Sequence, residues 1–341
     1  HPSGDLDIDG VDGTLLNIDG SMTNADAHLG FNPATFGDVN VGATGTWTST
    51  GTLYAGFNGD SNVTITGTVA ANEAYFGYNA GSSGSLTMSA GEIVASNGLY
   101  FGYFGDSTFS ITGGRVASTT DLYVSYGPGS AIGTITSGTL SAGTTLTVGK
   151  LGYGSLQVDG GLVTAVNAVL GQSNGGNGFV TVASGSITIG STLEVGSTTS
   201  GTGSLSISGG VVTSGVALIG NFGGSRGTVS VSAGSLTVTG TNPAGNLQVG
   251  YLGNGTLDIS GGTVSAIGGN IGWGTTGSGT LAMSGGSLSV ANEFDIGNFG
   301  TGTLLLSSGT LTTAQVILGK GNHLGVVGTG TATVTGGEWI N

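Results

Sequence analysis

The chain has no cysteine and four prolines, and only 6% of its 341 residues carry charge. Without cysteine there is no disulfide framework and no thiol chemistry. Four basic residues, Arg115, Lys150, Arg226 and Lys320, stand against eighteen acidic ones, giving a net charge of −14. No basic patch can be built from them. Nucleic acid is therefore excluded as a partner, and an anionic membrane surface offers no attraction. No apolar run reaches the about 18 residues that membrane insertion as a helix needs. HPSGDLD (1–7) has neither the charged nor the apolar region of a secretory signal. If the protein is exported, the signal peptide is expected to be gone. The three histidines, His1, His28 and His323, are far apart, and none has a ligand neighbour at a familiar metal spacing.

What the chain does have is 74 glycines and a repeat. GTLDISGGTVSA (255–266) returns as GTLAMSGGSLSV (279–290) and GTLLLSSGTLTT (302–313), and stands earlier as GSLTMSAGEIVA (84–95). Each copy is followed by a third apolar phrase, such as TLTVG (145–149) or EFDIG (293–297), and then by a glycine-rich corner. The period is about 23 to 25 residues, stretched to about 28 where GTNPA (240–244) enters a corner. Periodicity separates this composition from glycine-rich disorder.

Within each phrase the apolar residues alternate with period 2, as a strand requires. Leu257 and Ile259 fall on one face, Thr256 and Asp258 on the other. Stacked copies give apolar columns. Leu205, Val229, Leu257, Leu281 and Leu304 form one; Val212, Leu236, Val264, Leu288 and Leu311 mark a second strand; Leu53, Leu99, Leu122, Leu146, Leu193, Leu247 and Phe294 mark a third. Three short strands per turn predict an all-β fold, a parallel β-solenoid (β-helix). It is expected to run through residues 1–341 as a single continuous domain of about fourteen turns. Pro2, Pro33, Pro128 and Pro243 lie outside the strand phrases, as a fully paired sheet demands.

In this frame the phrase GTWTSTGTLYAG (45–56) resembles the repeat family associated with type V secretion and PEP-CTERM surface proteins. The resemblance covers nearly the whole chain. It implies export, an extracellular or bacterial cell-surface location, and a β-solenoid stalk or passenger. It implies no enzymatic activity.

The terminal turns of a solenoid expose unpaired backbone groups, a template for strand addition. Residues 1–13 contain GDLDIDG (4–10), which has the form of a third strand with Leu6 and Ile8 inward; the full turns follow from Leu16 and Ile18. Residues 330–341 read as an incomplete turn, with Val334 on its first strand, Trp339 in the second-strand column that Trp47 also occupies, and Ile340 after it. GGEWIN followed by HPSGDLDIDG makes one turn. The expectation is a head-to-tail homopolymer with Leu6, Ile8, Leu16, Ile18, Val334, Trp339 and Ile340 at the junction. The alternative is a segment of a longer array.

Two features suggest ligands. Asp5, Asp7, Asp9 and Asp12 match the opening of a calcium loop, Asp-x-Asp-x-Asp-Gly, but the twelfth position, which wants Glu, is Leu16. Ca²⁺ is one expectation there, a solvated acidic face the other. Aromatic residues line two neighbouring columns: Tyr54, Tyr75, Tyr100 and Tyr123 on the third strand, then Phe57, Tyr78, Tyr103 and Tyr126 just past the corner. They read either as a stacked sheet face or as a patch for polysaccharide or a neighbouring filament. Glu92 and Arg115, one turn apart in one column, predict a surface ion pair. Solenoids that cleave acidic polysaccharides need clustered carboxylates. Here Glu194 and Asp295 share a column but lie about four turns apart, so no enzyme is expected. The leading reading is a structural filament subunit; the other is an adhesin or autotransporter-like passenger that binds glycans through its aromatic face.

Overall fold

The computed structural model describes residues 4–11, 14–240, 246–321 and 327–341. These residues hold strands and no helix, in parallel coils of a β-solenoid numbering about 13. They cluster into two compact units, His1–Val166 and Asn167–Asn341.

In the first unit, the strand Thr14–Ile18 pairs in parallel with Gly37–Val41, which pairs with Asp60–Ile65, and so on through Ser83–Met88, Asp106–Ile111 and Ala131–Ile135. The second-strand column runs Met22, Trp47, Val69, Ile93, Val116, Leu140, Val163. The third runs Leu6, Ala27, Leu53, Ala74, Leu99, Leu122, Leu146. In the second unit the runs Asn177–Val195, Thr202–Ile219, Ser278–Asn298 and Thr301–Lys320 each carry all three strands of a coil. Its columns stack Leu205, Val229, Leu257, Leu281 and Leu304 in register, all at most 1% exposed. The columns read from the sequence are thus the cores of the two units.

Corners are tight because the backbone itself stays in the ladder. Gly77 turns at φ +71° while its N–H donates to Ala55 O at 2.8 Å, and a Cβ there would strike the carbonyl of Asp106. Ser125 takes the same left-handed turn at φ 69°, and its buried Oγ donates to Gly129 O at 2.8 Å. That internal bond offsets part of the strain a non-glycine residue meets there.

Two columns contain gaps that a search for aliphatic residues passes over. Gly133 sits in the first-strand column beside Phe109, and a Cβ on Gly133 would land inside the Phe109 ring. Gly269 stands below Phe294 in the third-strand column, with the ring 3.0 Å from where its Cβ would be. Volume is therefore conserved over pairs of coils rather than coil by coil. Gly133→Ala is expected to destabilise the protein by about 1–3 kcal/mol through overpacking. Adding Phe109→Leu should recover most of that loss in denaturant unfolding of the double variant.

Candidate functional site

Ten rings form an interlocked ladder on one flank of the first unit. Along the third strand, His28, Tyr54, Tyr75, Tyr100 and Tyr123 stack with centroids 4.5–5.4 Å apart and planes within 14° of parallel. Just past the corner, Phe31, Phe57, Tyr78, Tyr103 and Tyr126 stack at 4.8–5.6 Å. The columns meet edge to face, as at Tyr54–Tyr78, 4.7 Å and 71°. Parallel pairing sets this arrangement, because each ring lies one strand spacing above its equivalent. The ring faces are consequently taken by other rings, and edges and hydroxyls look outward. Tyr75 is 9% exposed and the other seven predicted rings are half-buried, so the face is less open than the sequence suggests.

The ladder ends on charged groups. Lys150 Nζ lies 3.8 Å from the centroid of Tyr126 and 5.1 Å from that of Tyr123, a cation–π cap. At the other end His28 Nδ1 is 3.0 Å from Asp7 Oδ1. Two hydroxyls donate to carboxylates two residues back: Tyr75 to Glu73 at 3.1 Å and Tyr123 to Asp121 at 3.2 Å. Burial first, and then these carboxylates, push the Tyr75 and Tyr123 phenols far above the usual tyrosine range. Burial also raises Tyr54, Tyr100 and Tyr103.

Three of the four aspartates with the calcium-loop spacing take protein partners. Asp5 Oδ1 accepts the N–H of Asp26 at 3.2 Å, Asp7 meets His28, and Asp9 Oδ1 accepts the N–H of Asn32 at 3.2 Å. Asp9 also takes bonds from Asn32 Nδ2 and Thr35 Oγ1. Burial raises the Asp9 pKa, but the Thr35 and Asn32 bonds outweigh it and hold the carboxyl below its ordinary value. The three carboxylates therefore turn to three separate partners in the next coil. Asp12 lies outside the described residues. Among the described residues no three His, Cys, Asp or Glu side chains gather to hold a metal ion.

The same device recurs along the unit. Asp26 caps Thr52 N at 2.7 Å, Asp38 caps Asn62 N at 3.1 Å, Asp60 caps Ser83 N at 3.0 Å, Asp106 caps Ser130 N at 2.8 Å and Asp121 caps Thr145 N at 3.1 Å. Four of these N–H groups, on Thr52, Ser83, Ser130 and Thr145, lie at a register break or at or just before the start of a strand; that of Asn62 lies inside Asp60–Ile65. Asp60 and Asp106 share a shallow depression with Ser83 between them, about 10 Å apart at the strand spacing. Both are turned to the next coil's backbone. Glu92 and Arg115 form the expected pair, Nη1 to Oε2 at 3.5 Å, with both side chains well exposed.

In the second unit the position one residue past the third-strand column is polar at most coils. Glu194, Leu218, Gln248, Asn270 and Asp295 follow one another in register, so Glu194 and Asp295 are four coils apart as expected. The sequence reading missed what surrounds Asp295. Its carboxylate is 2% exposed; Oδ2 accepts from Lys320 Nζ at 2.9 Å and from Asn298 Nδ2 at 2.7 Å. Glu293 also pairs with Lys320. Burial raises the Asp295 pKa, with Lys320 acting against it.

The residues assigned to a junction fall at the outer coils. Leu6 pairs with Ala27 and Ile8 with Leu29; Leu16 pairs with Val39 and Ile18 with Val41. Val334 pairs with Leu306 and remains 50% exposed, where its column equivalents are at most 4%. Trp339 pairs with Leu311, is half-buried, and its Nε1 donates to Thr313 Oγ1 at 3.2 Å; Ile340 pairs with Thr312. Trp47 is fully buried and donates to Asn24 Oδ1 at 2.7 Å, from the same position relative to the coil below. The second-strand placement of both tryptophans holds.

No family model, curated protein or solved structure matches the chain. Its function has to be read from the residues themselves.

Raised phenol pKa values carry a sign. An unfolded tyrosine ionises near pH 10, whereas Tyr54, Tyr75, Tyr100, Tyr103 and Tyr123 are held neutral above it. Their contribution to stability is complete below about pH 10 and is lost as the pH climbs beyond it. Ionisation of these five phenols should therefore accompany loss of the β-sheet circular dichroism, in one cooperative transition. Their titration near pH 10 in the folded protein would contradict this.

Proposed function

We propose that the chain is a structural subunit of an extracellular filament or surface fibre, built by stacking coil upon coil head to tail. The observation that carries this reading is how the flank chemistry is spent. Ring faces, carboxylates and amide side chains are used between one coil and the next. A glycan-binding aromatic platform would need open ring faces, and here those faces are occupied by neighbouring rings. The second reading, an adhesin, finds no comparable support.

The mode of assembly proposed is strand addition from coil to coil. Among the described residues, Thr329–Val334 and Glu338–Ile340 pair only with the run Thr301–Lys320, and Leu6–Ile8 pairs only with Ala27–Leu29. The first two are a first and a second strand; Leu6–Ile8 is a third strand. Laid on a second copy, each meets a partner of its own kind, as every inner coil does. Parallel strand addition of this sort is a heterologous contact that extends without closing. Each backbone hydrogen bond contributes about 1 kcal/mol net, so the three strands must act together.

Purified protein should form filaments by electron microscopy and sediment as a concentration-dependent series. Val334→Lys places an ammonium group over the exposed end of an apolar column while leaving the half-exposed site tolerant within the monomer. It should abolish filaments and leave folded monomers. A wild-type chain that stays monomeric at high concentration, or a Val334→Lys variant that assembles as well as wild type, would overturn the proposal.

A further inference from the structure

The cluster around Asp295 holds the groups for an amide exchange. Asn298 and Lys320 occupy paired positions in adjacent coils. Asp295 Oδ2 touches both reacting nitrogens, Lys320 Nζ at 2.9 Å and Asn298 Nδ2 at 2.7 Å. The carboxylate is 2% exposed and the amide 6% exposed, so water competes poorly there. Two buried oxygens, Asp295 Oδ1 and Asn298 Oδ1, have no hydrogen-bond partner. They belong to residues already joined through the other halves of their planar groups. Both unpartnered oxygens thus belong to the two groups that would exchange protons in such a reaction.

We propose that Lys320 and Asn298 become joined by an intramolecular isopeptide bond, with Asp295 as the catalytic proton carrier. The Lys320 ammonium first passes a proton to Asp295, which frees the Nζ lone pair. Nζ attacks Asn298 Cγ, forming the C–N bond and a tetrahedral centre. Asp295 relays protons from Nζ to Nδ2, the Cγ–Nδ2 bond breaks, and the nitrogen leaves as ammonium. Two protons leave Nζ and two reach Nδ2, so the step balances without an oxidant or co-reactant. Burial raises the Asp295 pKa and favours its role as proton acceptor. The carboxylates of Glu293 and Asp295 hold Lys320 protonated against the opposite pull of burial, so proton transfer to Asp295 has to come first. Glu293, which pairs with Lys320 from the same strand as Asp295, holds the amine beside the amide.

Intact mass of the full chain under denaturing conditions tests this directly. The linked protein is lighter by one ammonia, about 17 Da. Trypsin should then fail to cut after Lys320, because an acylated lysine is not a cleavage site. Asn298→Ala, Lys320→Arg and Asp295→Asn should each restore the unlinked mass for their sequence, and Asp295→Asn should restore cleavage after Lys320. An unmodified wild-type mass with cleavage after Lys320 would refute the bond. Loss of one water, about 18 Da, would refute Asn298 as acceptor in favour of a carboxylate. A retained ammonia loss in Asp295→Asn would refute the role given to Asp295. The wild-type mass needs no variant to fold, and it is independent of whether the protein forms filaments.

Discussion

Parallel pairing in register puts every side chain about 4.8 Å from its equivalent in the next coil. Whatever a column contains must tolerate itself at that distance. Aliphatic side chains do, and they fill the interior. Aromatic rings do when they tilt alike, which is how Tyr75 and Tyr100 come to lie 4.5 Å apart and 4° from parallel. Like charges do not, since carboxylates directly opposite one another on neighbouring strands repel. The chain meets this constraint by carrying little charge and by turning its carboxylates onto backbone N–H groups. Asp60 and Asp106 are separated by Ser83, and each bonds upward to the following coil rather than facing the other.

Those caps also give the stack a direction. Asp5, Asp26, Asp38 and Asp121 each accept from a residue of the coil that follows in sequence. The break between two strands frees a backbone N–H, and the aspartate of the preceding coil is within reach of it. The part-buried N–H groups of Asp26, Thr52 and Thr145 thereby gain an acceptor where water reaches less freely. Part of the acidic composition therefore serves backbone N–H groups of the following coil. In the second unit amide side chains cap in the same way. Asn167 Oδ1 accepts from Thr192 N at 3.3 Å, and Asn246 Oδ1 from Gly268 N at 3.0 Å.

The period and the columns were legible because equivalent residues meet one another, so that alignment of the repeat is already a contact map. Gly133 and Gly269 were not, since the volume they yield to Phe109 and Phe294 is visible only when two coils are read together. The spacing Asp5, Asp7, Asp9 imitates a calcium loop because both structures place acceptors at alternate residues. Pairing with the next coil gives these carboxylates partners of which local spacing carries no trace. Asp295 was compared only along its own column, with Glu194. Its decisive neighbours lie across the corner, at Asn298, and one coil on, at Lys320. Extending the column that begins Phe31, Phe57, Tyr78 past Lys150 would have brought Asn298 and Lys320 into view.

A covalent tie at that place has a mechanical meaning that follows from topology. Coils in a parallel stack are held by similar ladders, so force applied to the chain unwinds them one at a time from a free end. Asn298 and Lys320 bound a single coil, the run Thr301–Lys320 with the corner before it. Joining them closes that coil into a ring, and pulling on the chain beyond Lys320 then loads the bond directly. The coil cannot be drawn out, whatever becomes of its hydrogen bonds. Closing a loop of that length in the unfolded chain is worth about 3 kcal/mol by the entropy argument used for disulfides. A chain without cysteine cannot reach the same end through a disulfide. The coil so locked pairs directly with Thr329–Val334 and Glu338–Ile340, so the tie also secures the strands that rest on it.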